Sequence, residues 1–429
     1  MFTRVGALRL LVVIGAISLF LTTAIAPAAA AGDLPGTFMG DAYGNRANAK
    51  AGELSTKLGR AAYQPCPCHG TGGAVHSNAV DNVDGGKAYK AGHIENTAQA
   101  MKQTGMKAFV QTTSTVTNIR ALDGLITVQS MRAVATTKAS TSSITSNHDG
   151  SAITGLKING NSVTVNPGQR IDLPGFGYVV FYDVRRLGDG TSFGGIRVDM
   201  MRIVITRANS LDIPVGSEII STHARAGYSR NESASVLGAA AWGSTATSSS
   251  ADVRNAFGRS APVYLGCFAR GTASGSNRVH EATYPQTLYT GLIVNRVHGE
   301  ISSSLALASA NSRIETVNLF NGLVTAEVVK GVATAYVDGS GGHVNFDGSR
   351  FLNLQVNGQA FGDNVAPNTQ VALPGIGTMT LFRTSSSHDA NEAHAQIDMI
   401  VINVTQLTPQ GIPAGTEIKI AHASADSQP

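Results

Sequence analysis

The sequence predicts an all-β protein: two tandem, homologous, sandwich-like domains behind a signal peptide. Three observations carry that prediction. Landmarks of the first half return about 199 residues later in the same order, which means one architecture copied, far longer than any solenoid repeat. The chain holds 48 glycines and only 14% charged residues, with Thr, Ser, Val and Ala filling the rest, a composition of strands and tight turns rather than helices. Apolar residues alternate with period two between turn signals. A barrel is the alternative closure, because strand periodicity does not fix how sheets meet.

Residues 1–31 read as the signal peptide. Met1, Arg4 and Arg9 form a basic start, Leu10 to Ala26 is apolar, and Ala28 to Ala31 offers small residues for cleavage. The competing reading is a retained anchor, since the apolar run almost spans a bilayer. Cleavage is the expectation, with a secreted mature chain that carries no transmembrane segment. Without Arg4 and Arg9, 30 basic residues face 28 acidic ones, a net charge of +2. With no run of Lys or Arg, that balance excludes nucleic acid as a partner. The polar stretch 421–429 has no apolar tail or wall-sorting motif, so release or non-covalent retention is expected.

Unit one is placed at 36–227 and unit two at 236–426, with a polar boundary from Tyr228 to Ser235. Ala42-Tyr43-Gly44 returns as Ala241-Trp242-Gly243, and Gly59-Arg60 as Gly258-Arg259. Leu125 to Thr137 is a long strand carrying Ile126, Val128 and Val134 on one parity, matched by Val324, Ala326, Val328 and Val332. Arg132 and Lys330 interrupt that face, which a long stem lying along the sheet would explain. Asn159-Gly160 and Asn357-Gly358 suit type I′ hairpins. Leu173-Pro174-Gly175-Phe176-Gly177 and Leu373-Pro374-Gly375-Ile376-Gly377 suit a type II turn, with Pro fixing φ and the first Gly taking positive φ. Strands are expected at Tyr178–Val184 and Thr378–Phe382, from Asp199 to Arg207, and at Val215–Thr222 with its copy Ala414–Ala421. The one helical expectation is a short helix from Ile94 to Gln103, ending at Gly105.

In these landmarks the chain resembles the actinobacterial secreted proteins called the choice-of-anchor P family. The resemblance lies in the Gly-Leu-Ile-Thr start at Gly124, the Leu-x-Ile-Asn-Gly hairpin ending at Gly160, the Leu-Pro-Gly-x-Gly element and Ile213-Pro214 with Gly216, together with their second copies. It implies a β-rich surface or secreted domain of unassigned role and supplies no catalytic residues.

Three groups of residues invite chemistry. Cys68 and Cys267 correspond at offset 199, and a bridge between them is the first reading in an oxidising compartment. Free thiols come second, and metal binding by Cys66, Cys68 and His69 third. Asp199 and Asp398 recur at the start of a buried strand, Asp199 on the parity of Met201 and Ile203, where a carboxylate needs a partner. Hydrogen bonds from turn amides are expected, calcium ligation being the alternative and the one cofactor considered; a capping or packing role is expected of His223 and His422. His388, Asp389, Glu392, His394 and Asp398 are read as a solvated hairpin loop rather than a cation site. Tyr43 and Trp242 are candidate ligand contacts, because aromatic faces stack on sugars, with core packing as the competing reading. The one Gly-x-Ser-x-Gly string, Gly190 to Gly194, lies in a Gly-rich loop with no helical pattern after it, so it is not read as a nucleophile elbow. The expectation is therefore a non-enzymatic protein acting by surface contacts on a cell-envelope component or an extracellular protein or glycan. A carbohydrate-binding module is the first alternative and a secreted hydrolase the last.

Overall fold

The computed structural model describes residues 34–48, 59–230, 237–247, 259–266, 270–284, 286–363 and 365–428. The expected signal peptide lies outside them, as does 231–235 of the expected boundary. Within them the protein is all-β in two similar halves, each a sandwich of one six-stranded and one ten-stranded sheet. The two sheets of each half stay separate and enclose one apolar core, so a sandwich forms rather than a barrel.

The major strands of unit one are β1 (Thr37–Asn48), β2 (Ile94–Gln103), β3 (Lys107–Ala121), β4 (Ile126–Ala139), β5 (Gly177–Gly188), β6 (Phe193–Ile205) and β7 (Glu218–Ser229). Their counterparts in unit two are β8 (Leu237–Thr247), β9 (Ile293–Ile301), β10 (Leu305–Leu319), β11 (Val324–Asp338), β12 (Gly377–His388), β13 (Ala393–Val404) and β14 (Glu417–Ser427). All pair antiparallel. In the six-stranded sheet of unit one the order runs β5-β6-β7-β1, flanked by two short strands.

The expected turns are present. Asn159 and Gly160 both take positive φ, at 50° and 76°, as do Asn357 and Gly358. The Phe176 amide donates to the Leu173 carbonyl at 3.0 Å around Gly175 at φ 80°, and Ile376 to Leu373 at 3.1 Å. The expected helix from Ile94 to Gln103 is instead strand β2. Ile94, Asn96, Ala98 and Ala100 point inward on one parity, and pairing on both edges overrides the helical preference of Ala, Gln, Met and Lys. Its copy β9 shares that form. The last strand of each unit starts later and runs further than expected, from Glu218 and Glu417.

A row of backbone kinks crosses the six-stranded sheet. Between the rungs Tyr43↔His223 and Asn45↔Ser221, Gly44 and Thr222 stay unpaired, and Met200 and Tyr182 continue the gap. Thr222 and Tyr182 take φ 61° and 50°, and Ala421 and Phe382 repeat this at 55° and 53°. A left-handed non-glycine residue costs about 1–2 kcal/mol. Each kink resets which side chains face inward: Ile219 and Ser221 point to the core before Thr222, Ala224 and Ala226 after it. Asn118 and Thr316, at φ 53° and 55°, do the same opposite Gln129 and Glu327 in the larger sheets. Inward parity therefore passes from Ile126 and Val128 to Met131 and Ala133, so Arg132 and Lys330 lie on the outward parity rather than interrupting an apolar face.

The two units meet reciprocally. The Asn277 Oδ1 accepts from the Arg60 amide at 3.3 Å, and the Asn78 Oδ1 accepts from the Arg259 amide at 3.2 Å. Each asparagine also holds its own unit, donating to Tyr63 O at 3.1 Å or Pro262 O at 2.9 Å. The backbones come so close that a Cβ on Gly59 would stand 2.2 Å from the Arg278 carbonyl.

Candidate functional site

The kink row builds a polar centre on the outer face of each six-stranded sheet. In unit one it leaves the Gly44 amide without a ladder partner, and the 59–62 segment takes it: Gly44 donates to Ala61 O at 2.9 Å and Ala61 donates to Asn45 O at 3.1 Å. Buried Asn96 fixes that segment by donating to Ala62 O at 2.7 Å. Gly243 with Ser260, and Asn295 with Ala261, repeat both devices. Each segment delivers an arginine over an aromatic ring: the Arg60 guanidinium stands 5.9 Å from the Tyr43 centroid, that of Arg259 4.6 Å from the Trp242 centroid.

Beneath each aromatic ring lies a histidine. Tyr43 stacks on His223 at 4.1 Å and 11°, Trp242 on His422 at 3.6 Å and 12°. The register then carries the row to a buried aspartate, His223↔Asp199 and His422↔Asp398. The Nδ1 of His223 lies 2.5 Å from Asp199 and that of His422 2.6 Å from Asp398. The Asp199 and Asp398 carboxylates are 0% exposed and 1% exposed. A buried carboxylate is tolerated only with charged or hydrogen-bonded partners, and the partners here are an imidazole and an arginine, not turn amides. The kink explains the difference: it turns Asp199 away from the parity of Met201 and Ile203, out of the core and toward His223.

The arginine comes from different strands in the two units. Arg197, on the strand of Asp199, reaches it at 2.5 Å. In unit two Gln396 replaces Arg197, and Arg383, the cross-strand partner of Asp398, supplies the charge at 2.8 Å and also holds Glu417 at 2.9 Å. Unit one adds a second carboxylate, Asp41, 3.4 Å from the His223 Nε2; unit two has Ala240 there. The chain matches no protein-family model and no curated protein.

The two histidines are tuned in opposite directions. Burial works to lower the His223 pKa, but hydrogen bonds to Asp199 and Asp41 outweigh it and raise the pKa above its ordinary value. Burial lowers the His422 pKa as well, and there the single carboxylate Asp398 does not compensate, with Lys419 and Arg259 adding repulsion. Against burial, His422 and Arg383 hold Asp398 down at about 2. The fold therefore favours the protonated form of His223 and the neutral form of His422. The stabilisation from protonated His223 is complete below the unfolded value of about 6.5 and lost as pH rises through its folded pKa; that from neutral His422 is present above about 6.5 and lost as pH falls toward its folded pKa. NMR titration of the imidazole signals checks this: two histidines titrating together near 6.5 would contradict it.

Tyr43 is buried, at 3% exposure, as the packing reading expects, although neither it nor Trp242 joins an apolar core cluster; neither is a bare platform, because a histidine stacks on one face of each ring and an arginine lies over the ring. Asp199 and Asp398 are committed to an imidazole and a guanidinium, and an adjacent guanidinium disfavours a calcium ion. Cys66 is a free, buried thiol with its pKa pushed up to about 12 by burial. Cys68 is disulfide-bonded, which removes it as a zinc ligand; Cys267 lies outside the described residues. Around His388, Asp389 accepts the amides of Asn391 and Glu392 at 2.7 and 2.9 Å and His394 pairs with Asp426, so the cluster is an ordered, exposed hairpin end.

Asp41, Arg197 and Arg383 went unnoticed in the sequence because none is duplicated. Arg60 and Arg259 carried a signal, since Gly-Arg recurs at offset 199, but nothing in the sequence tied that pair to Tyr43 and Trp242.

Proposed function

We propose that this is an exported, non-enzymatic two-domain β protein that works by surface contacts at the cell envelope or outside it. One observation carries the reading. The imidazole–carboxylate centres resemble catalytic dyads in composition, yet in unit one both ring nitrogens of His223 are taken by carboxylates and its face is covered by Tyr43. A histidine so engaged has no lone pair left to accept a proton from a nucleophile. The centre instead clamps three strands and a loop together across the kink, and in unit two Arg383 adds a fourth strand. The resemblance to secreted and surface choice-of-anchor P proteins points the same way. Sugar stacking on Tyr43 or Trp242 is not favoured, because a sugar would have to displace the arginine.

The mature protein is expected to bind saturably to at least one isolated envelope fraction, with or without calcium, and to turn over no polysaccharide or peptide. Hydrolysis abolished by His223→Ala or His422→Ala would overturn the reading, and the absence of binding to every fraction would remove the envelope from it.

A further inference from the structure

Above the His223 centre, the outer face of unit one holds an open pocket of about 310 Å³. Four arginines line it, Arg46, Arg60, Arg197 and Arg225, together with Tyr43 and Tyr63. Arg197 is held by Asp199. The guanidiniums of Arg46, Arg60 and Arg225 make no ion pair or hydrogen bond among the described residues; that of Arg60 rests against the Tyr43 and Tyr63 rings. Two carboxylates share the wall but are committed, Asp41 to His223 and Glu218 to the Arg202 Nη1 at 3.1 Å. The excess is positive in a protein whose overall charge is nearly balanced.

Unit two provides an internal comparison. Its centre keeps the His–Asp pair, the stacked ring and Arg259, while Thr245, Gln396 and Ser424 stand where unit one has Arg46, Arg197 and Arg225. A structural need shared by the two folds would have kept the arginines in both. Guanidinium forks match oxyanions in pairs of parallel hydrogen bonds. Three open forks exceed what the two oxygens of one carboxylate can accept, and suit the three oxygens of a phosphate monoester.

We propose that this pocket binds a phosphoryl group, presented by a phosphorylated glycan of the envelope. The site is a deepening of the surface-contact reading, on which the source of the ligand rests.

Calorimetric titration of the mature protein at low salt, with inorganic phosphate, glucose 6-phosphate and glucuronate as probes, tests it. Glucose 6-phosphate should bind saturably, glucuronate at least tenfold more weakly, and affinity should fall at physiological salt. The double variant Arg46→Gln, Arg225→Gln should lose at least tenfold in glucose 6-phosphate affinity with its thermal unfolding unchanged. Both residues are half-buried at the pocket and their guanidiniums make no ion pair or hydrogen bond among the described residues, whereas Arg60 and Arg197 support the histidine centre. Arg259→Gln, in unit two, should leave affinity within twofold. The proposal is overturned if neither phosphate probe binds the wild type, if the double variant binds as tightly, or if glucuronate equals glucose 6-phosphate. Envelope binding measured in parallel separates the two readings. Retention on an envelope fraction without glucose 6-phosphate binding removes the pocket alone; glucose 6-phosphate binding without retention removes the envelope role alone.

Discussion

Replacing Asp199 by alanine is expected to destabilise unit one by about 3–5 kcal/mol, the usual consequence of removing one partner from a buried ion pair. The substitution leaves His223 with Asp41 alone and removes the carboxylate that Arg197 pairs with, both on a face where Asp199 itself is fully buried. Asp398→Ala should cost less. His422, whose pKa is lowered by burial, loses one hydrogen bond, and Arg383 keeps Glu417. The protein's single tryptophan sits in unit two, so urea unfolding can be read unit by unit. Asp398→Ala should move the Trp242 fluorescence transition, and Asp199→Ala should move the circular-dichroism transition that tryptophan does not report. A loss below about 1 kcal/mol for Asp199→Ala would place the centre with ordinary surface ion pairs and defeat the clamp.

Gly177→Ala and Gly377→Ala should each cost about 3 kcal/mol or more, from overpacking and backbone strain together. A Cβ on Gly177 would stand 2.1 Å from the Val204 carbonyl oxygen and 2.8 Å from the Thr206 amide; on Gly377 it would stand 2.1 Å from Asn403 O and 2.9 Å from the Thr405 amide. These are backbone atoms of the neighbouring strand and cannot swing aside, and φ at both glycines lies near 155°. Gly175→Ala in the same Leu-Pro-Gly-x-Gly element meets open space, so only its positive φ is charged, about 1 kcal/mol. Equal losses at Gly175 and Gly177 in thermal or urea unfolding would contradict this division of labour.

The two glycines mark how far the sequence could be read. Gly175 was legible because a type II turn has a local chemical signature; Gly177 was not, because its partner is a carbonyl of the next strand. The same boundary runs through the fold. The duplication, the Asn-Gly hairpins and the all-β class follow from local chemistry and repetition. The kinks at Thr222, Tyr182 and Asn118 do not, since threonine and tyrosine give no hint of a left-handed backbone. Every parity argument that crossed a kink failed with them, including the placement of Asp199 beside Met201 and of Arg132 on an apolar face. Strand β2 was misread because a run of Ala, Gln, Met and Lys favours a helix until two neighbouring strands claim its backbone. At the candidate site, His223 and Asp199 were each visible as duplicated residues, but 24 positions apart in the chain, and only the strand register joins them.

The exchange of Asn78 and Asn277 across the two units has a further consequence. Each unit offers the other the same asparagine and receives the same arginine amide, the self-complementary pattern of a twofold homodimer. One copy of this unit would carry both halves of its own docking surface. Joining two copies in one polypeptide turns association into an intramolecular event, independent of protein concentration. It also lifts the constraint of symmetry: a dimer of identical chains must place the same side chains on both outer faces, whereas the fused pair can keep Arg46, Arg197 and Arg225 on one and Thr245, Gln396 and Ser424 on the other.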